Sequence, residues 1–364
     1  MIEFPTHIDD IIQRFSLINP KRYSKTRNFG DGAVTKLSPY ISRGVISTRQ
    51  VFEYILSLER PWSELEKLVQ ELAWRDYWQQ IWIAKGDDIH RDLKHPQKPI
   101  SNYEIPEAVV NASTGINAID AAINELYNTG YMHNHMRMYV ASICCNVAKS
   151  HWLVPSRWLY ANLLDGDIAS NQLSWQWIAG TFSNKKYFAN QDNINHFFRS
   201  RQKNTFLDCD YAFLNTNETP KILSNSLKLE IETHLPKLKN PPCIENQDSL
   251  IFNYYNLNPT WHKGEKFQRI LLLEPSKFKR HPVSSKCINF VLELSENIYD
   301  IKLVVGEFEE LLNHLDTKKI YYKEHPLNYN YKGCEEPREW LSNVKGYFPS
   351  FFSFWKKCRK ELLE

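Results

Sequence analysis

No stretch of this 364-residue chain is apolar for the length of a membrane span. The opening MIEFPTHIDDIIQRF lacks the basic region and following apolar run of a secretory leader. A cytoplasmic protein without membrane association is expected. Cysteine is sparse and scattered, at positions 144, 145, 209, 243, 287, 334 and 358. None forms a CxxC pair, which argues against a zinc site or a disulfide framework and for reduced thiols. A four-cysteine iron–sulfur cluster has no supporting spacing either. Charge of one sign is also missing. The net charge is +3, and residues 1–200 carry 21 basic against 20 acidic side chains. Global charge therefore makes no case for nucleic acid, although a local basic groove is compatible with it. Glycine is scarce, at 12 residues. In the second half neither GxGxxG nor GxxxxGK[ST] occurs, so a nucleotide site there has no motif behind it.

Tryptophan is plentiful: eleven, eight of them before residue 180. That suits a large core, and equally a protein that stacks rings or moves electrons. The first 200 residues read as helical. WSELEKLVQELAWRDYWQQIWIAKG predicts a long helix ending at Gly86, with Leu65, Leu68 and Leu72 on one face and Trp74, Trp78 and Trp82 recurring every four residues on another. TGINAIDAAINELYNTG predicts a helix stopped by Gly130. YMHNHMRMYVASICCNVAKSHW predicts a third, and DIASNQLSWQWIAG a fourth with Asp167 as N-cap.

Residues 203–263 are rich in Pro and Asn and read as a connector. Beyond them strand and helix alternate: RILLLEP, SSKCINFVLELSENI, DIKLVVG, FEELLNHLD and KKIYYKEHP, then a last helix over REWLSNVKGYFPSFFSFWKKCRKELLE, broken at Pro349. Alternation of this kind implies a small parallel sheet. The expected fold class is α + α/β: an all-helical domain over 1–202, a connector over 203–263, and a small Rossmann-like α/β domain over 264–364.

Four stretches carry chemistry. In DGDIASNQLSWQW, Asn171 and Trp175 share a helix face, with Asp167 one turn earlier and Asp165 before the helix, available to a cation. Counted from Asp165 as a calcium loop, the sixth and twelfth positions are Ser170 and Gln176 where Gly and Glu are needed, so calcium is rejected. In MHNHMRM, Asn134 and Met138 are i,i+4 with Arg137 between them. His133 and His135, two apart on a helix, diverge and make no metal pair. Glu71 lies one turn before Trp74 and Arg75. In GAVTKLSPYISRG, Thr35, Lys36 and Ser38 offer hydroxyl, amide and ammonium donors to a phosphate.

In this order, YSKTRNF…TKLSPY, ELAWRD, TGYMHNHMRM and DGDIASNQLSWQW resemble the flavin-binding helical domain of the DNA photolyase/cryptochrome family over residues 20–190. The resemblance implies FAD as cofactor and ultraviolet-damaged DNA as partner, with the protein a monomer. It implies that Tyr23, Thr35, Lys36, Leu37 and Ser38 cradle the phosphates and ribityl chain. Lys36 stands where many members have Arg, which keeps the charge and loses the bidentate fork. Arg75, Asn134, Arg137, Asp165, Asp167 and Asn171 would line the rings, with Arg137–Asp165 as a buried ion pair and Asn171 facing the flavin N5. Glu71, Trp74, Asn134, Met138 and Trp177 would grip a flipped cyclobutane pyrimidine dimer, and Met138 where His is expected disfavours the 6–4 lesion. Trp175 and Trp152 would be the first two members of an electron-transfer chain, with Tyr103 as a substitute third. The implied activity is light-driven splitting of the dimer. A blue-light receptor that binds FAD without repair is the alternative, and a light-independent flavoprotein or nucleic-acid-binding module the third. Family members begin with an α/β domain, and the segments RILLLEPSKFKRHP and IKLVVGEFEELLNHLDTKKIYYKEHP are similar to parts of it, which implies a reduced domain relocated to the C-terminal side.

Overall fold

The computed structural model describes residues 4–215, 218–237, 247–315 and 319–364; Cys243 lies outside them. The helical reading of the first half holds. The long helix runs Trp62–Lys85, and Gly86 follows with φ +53°. The helix Asn117–Thr129 buries Ile119, Ala122, Ile123 and Leu126, the i, i+3, i+4, i+7 stripe of a helix packed on one face, and stops at left-handed Gly130. The third helix is Asn134–Ser142, and it continues as a turn of π-helix over Ile143–Val147. The fourth is Ile168–Ala179, capped by Asp167, whose carboxylate accepts the Ser170 N–H at 2.7 Å. Each large apolar side chain buried in this way contributes about 1.5–3 kcal/mol.

A two-stranded antiparallel pair, β1 (Ile105–Pro106) with β2 (Ser226–Leu227), accompanies these helices. The main sheet comprises β3 (Ser249–Phe252), β4 (Gln268–Leu273), β5 (Ile301–Val305), β6 (Ile320–Lys323) and β7 (Cys334–Glu336). Its order is β5-β4-β3-β6-β7, and every neighbouring pair is parallel. The strands β3 and β4 are buried at every residue, as a parallel sheet covered on both faces requires.

Three expectations need correction. The stretch read as connector contains β3, the central strand: SLIF is too short to show a period of its own and is flanked by turn-forming residues. The last helix begins only at Phe351, capped by Ser350, because Pro349 ends the irregular segment before it. The chain also divides differently from the linear scheme. Of the described residues, one compact unit comprises those in 19–34 and 77–230, and the other those in 4–18, 35–76 and 231–364. The N-terminal helix Ile8–Gln13 belongs to the sheet-containing unit, where the Ile8 N–H donates to Asn297 Oδ1 at 2.8 Å and Asn297 Nδ2 donates to the Thr6 carbonyl at 2.7 Å. Contacts spanning nearly 300 residues leave no trace in local pattern.

Candidate functional site

In the helical unit the site is assembled by turns at both ends of its helices. Gly130 closes one helix, and its carbonyl accepts the Leu164 N–H at 2.8 Å, which brings LLDGD beside the start of the helix Asn134–Ser142. Gly166 allows the tight passage between the two aspartates: a Cβ there would stand 2.8 Å from the Tyr160 carbonyl oxygen. Arg137 then reaches Asp165, Nη2 to Oδ2 at 2.9 Å, and its Nε donates to the Met132 carbonyl at 2.8 Å. Asp165 is buried and Arg137 one-fifth exposed. Burial lifts the neighbouring Tyr131 hydroxyl to about 12; the Arg137 cation pulls it down, and the Asp165 and Glu125 carboxylates push it up.

Asp167 has two duties. Besides capping the helix, its Oδ2 accepts from Gln79 Nε2 at 2.6 Å. Asn171, half-buried one turn on, donates from Nδ2 to the Ser156 carbonyl at 2.8 Å. Asn134 is exposed as the first residue of its helix, and Met138 packs partly buried against the core. Trp177 is 38% exposed, with its ring 6.0 Å from that of Tyr187. Tyr23 is half-buried in the helix Pro20–Thr26. Trp152 and Trp175 both lie in the buried core cluster. His133 stands at the N-cap, outside the helix: its Nδ1 accepts the His135 N–H at 3.2 Å, and His135 Nδ1 meets the Asn28 carbonyl at 2.9 Å.

The remaining expected residues lie in the sheet-containing unit. Lys36 takes a left-handed backbone at φ +53°, which puts a kink before the short helix Ser38–Ser42. Thr35 Oγ1 accepts the Leu37 N–H at 3.4 Å, and the Leu37 side chain is buried. Arg75 donates to the Ser42 hydroxyl, and Glu71 pairs with Lys67 at 2.9 Å. The Trp74 ring is stacked on Phe351, centroids 3.8 Å apart and planes within 8°, so one of its two faces already carries a ring of this chain. The i,i+4 tryptophan pattern could not show this, because Phe351 is 277 positions away in sequence.

Two polar residues escaped the sequence reading. Gln79 follows Arg75 by four and so shares its helix face, a usable signal. Asp92 lies in an irregular stretch with no periodic signal. It accepts Trp152 Nε1 at 2.7 Å and the Gln97 N–H at 2.8 Å, and meets His151 Nε2 at 3.2 Å.

Comparison with known proteins agrees with the motif reading of this region. Residues 68–216 match the family described as the FAD binding domain of DNA photolyase. A deoxyribodipyrimidine photo-lyase of Alkalihalophilus pseudofirmus is 30% identical over 181 residues, 46% of this chain and 36% of that protein. A cryptochrome DASH of Gloeobacter violaceus is 32% identical over 178 residues, 46% of this chain and 35% of that protein. A solved Synechocystis cryptochrome is 25% identical, covers 54% of this chain and 44% of that one, and has a TM-score of 0.49. The chain thus spans about a third of the length of these two curated relatives.

Proposed function

We propose, from the match of residues 68–216 to the FAD binding domain of DNA photolyase, that this chain binds FAD and uses light to split cyclobutane pyrimidine dimers in ultraviolet-damaged DNA. The observation that carries the reading is the Arg137–Asp165 pair, followed along the chain by Asp167 and Asn171. That donor set fits a flavin: a fixed cation, a buried carboxylate that holds it, and an amide on the next helical turn. When bound, FAD supplies light absorption and one-electron chemistry that no side chain provides.

The chain's own residues do the rest. Arg137, oriented by Met132 and Asp165, compensates negative charge in the pocket. Asn171 is held by Ser156, to whose carbonyl its amide donates. Tyr23, Thr35, Lys36, Leu37, Ser38 and Arg75 keep the phosphate- and ring-holding roles that the resemblance implies. Asn134, Met138 and the exposed Trp177 are assigned to the lesion, and Glu71 to the acid that hydrogen-bonds it. Flipping out the lesion costs least where stacking is already damaged.

The stack of Phe351 on Trp74 favours a second reading, a blue-light receptor, because it removes one aromatic face from the lesion grip. Illumination of the reduced protein with ultraviolet-damaged thymine oligonucleotide separates the two. Restored thymines are expected, and none under saturating blue light would sink the repair reading. Glu71→Ala should lower repair and leave flavin bound; loss of flavin would overturn the pocket assignment.

A further inference from the structure

Residues 341–360 carry five basic side chains and no acidic one. The whole chain has a net charge of +3, so this short stretch holds more positive charge than the chain as a whole. Four of the five stand on the last helix, Phe351–Leu363. That helix buries Phe351, Phe354, Trp355 and Cys358, an i, i+3, i+4, i+7 stripe. Phe351 stacks on Trp74, and Arg359 Nε pairs with Glu66 Oε1 at 2.8 Å. The helix therefore runs antiparallel along the first half of Trp62–Lys85, the part that bears Glu71 and Trp74. Phe352, Lys356 and Lys360, spaced i, i+4, i+8, form its outer side, with Lys357 alongside. Phe352 is 69% exposed, and all three lysines are exposed. Two ordinary causes do not account for this face. Cations at a helix C-terminus answer the macrodipole, but that effect fades beyond the last turn, and Lys356 and Lys357 stand before it. Charge that serves solubility has no use for an exposed phenylalanine beside it.

We propose that Phe352, Lys356, Lys357 and Lys360 form a DNA-docking face on the sheet-containing unit, where the lysines take backbone phosphates and Phe352 stacks on an unpaired base. The identity of the polyanion rests on the repair reading; the face itself stands on charge and exposure. Lys356 and Lys360 lie about 6 Å apart along the helix axis, and their long side chains reach phosphates spaced along one strand. The acids closest in the chain do not cancel this charge. Glu361 accepts the Asn343 N–H at 2.8 Å, and Glu364 meets Lys360 at 3.6 Å in an exposed pair of the kind that contributes little. Lys357 Nζ lies 5.1 Å from the centre of the Phe348 ring, which fixes the side chain and leaves its charge in place. A ring exposed among lysines suits a nucleic-acid strand: charge neutralises the phosphates, and the aromatic face covers a base that has lost its neighbour. Extruding a lesion leaves such bases behind. The same helix backs Trp74 through Phe351, so backbone grip and lesion grip share one rigid element.

The test is fluorescence anisotropy of a labelled oligodeoxythymidylate with the full chain, in the dark. Lys356→Glu with Lys357→Glu should weaken binding about tenfold or more and make the slope of log affinity against log salt shallower by about 1.4, the value for two single-strand phosphate contacts. Phe352→Ala should weaken binding about fivefold or more and leave the slope alone. The same change of charge at exposed lysines of other segments, Lys279→Glu with Lys332→Glu, should leave affinity near that of wild type. An unchanged affinity in the Lys356/Lys357 variant, or an equal loss in the Lys279/Lys332 variant, overturns the proposal. So does a Lys356/Lys357 variant that keeps the oligonucleotide and loses phosphatidylserine vesicles, which would assign the face to a membrane. Repair of damaged thymines by wild type, with binding unchanged in both helix variants, ends this proposal alone. The expected losses in a chain that repairs nothing end the repair reading alone.

Discussion

Replacing Arg137 by Ala is the sharpest test of the flavin site, because the structure sets the size of the effect. Arg137 meets Asp165 at 2.9 Å, with side-chain exposures of 20% and 4%. Removing one member of a largely buried ion pair costs about 3–5 kcal/mol in proteins. Arg137 is one-fifth exposed and partly screened, so the lower end, about 3 kcal/mol, applies. Urea denaturation should show a deficit of about 3 kcal/mol at pH 7. Arg137→Ala with Asp165→Asn should recover much of it, because a neutral amide in that place costs far less to bury. A deficit under about 1 kcal/mol at pH 7, or one that the second substitution does not relieve, refutes the argument.

Asp76 gives a pH signature in the sheet-containing unit. Burial raises its carboxyl from 3.8 to about 6, although the Leu341 N–H at 2.7 Å and the Thr48 hydroxyl at 3.2 Å favour the charged form. The folded chain thus holds an extra proton between those values. Stability should fall by about 3 kcal/mol as pH rises through the window, and Asp76→Asn should flatten the urea titration. His325 acts in the opposite sense: burial, then the Arg338, Lys277 and Arg43 charges, keep it neutral in the fold. Below its ordinary value of 6.5 only the unfolded chain takes the proton, so stability should drop by up to about 1.4 kcal/mol per pH unit and His325→Asn should remove that slope. Gly44→Ala should lower the Tm, since φ is +66° and a Cβ would stand 2.5 Å from the Tyr255 carbonyl oxygen; backbone strain alone costs about 1 kcal/mol or more, and an unchanged Tm would contradict it.

What was legible in the sequence was what local pattern encodes. Gly130, Asp167 and the leucine and tryptophan periods mark helix ends and faces, and they stand where expected. Motif order led to the flavin reading, and Arg137 does meet Asp165 as that reading requires. What was not legible depends on residues far apart in the chain. Ser249–Phe252 has no alternation because both of its faces are buried, so the central strand was read as connector. Trp74 carries a helical period that says nothing of Phe351, whose ring covers one of its faces from the far end of the chain. Asp92 sits in a segment without regular structure, so its hold on Trp152 has no spacing rule to announce it.

The sheet bears on the relocated-domain reading. In chain order the strands lie 3-2-1-4-5, and open parallel sheets of this order take ligands beyond the carboxyl ends of the central strands, where the winding reverses. Here that place follows Phe252 on β3 and Lys323 on β6. It is filled by the chain itself. Tyr255 stacks on His325 with centroids 4.4 Å apart, and Asn253 Nδ2 donates to Asn328 Oδ1 at 3.2 Å. The guanidinium of fully buried Arg43 lies 3.9 Å from the Tyr254 ring and 4.9 Å from that of Tyr255. A cation against two rings, desolvated, contributes roughly 2 kcal/mol where a ligand would otherwise have to compete for the space. The winding reversal of this sheet is thus occupied by packing against the segment that carries Arg43.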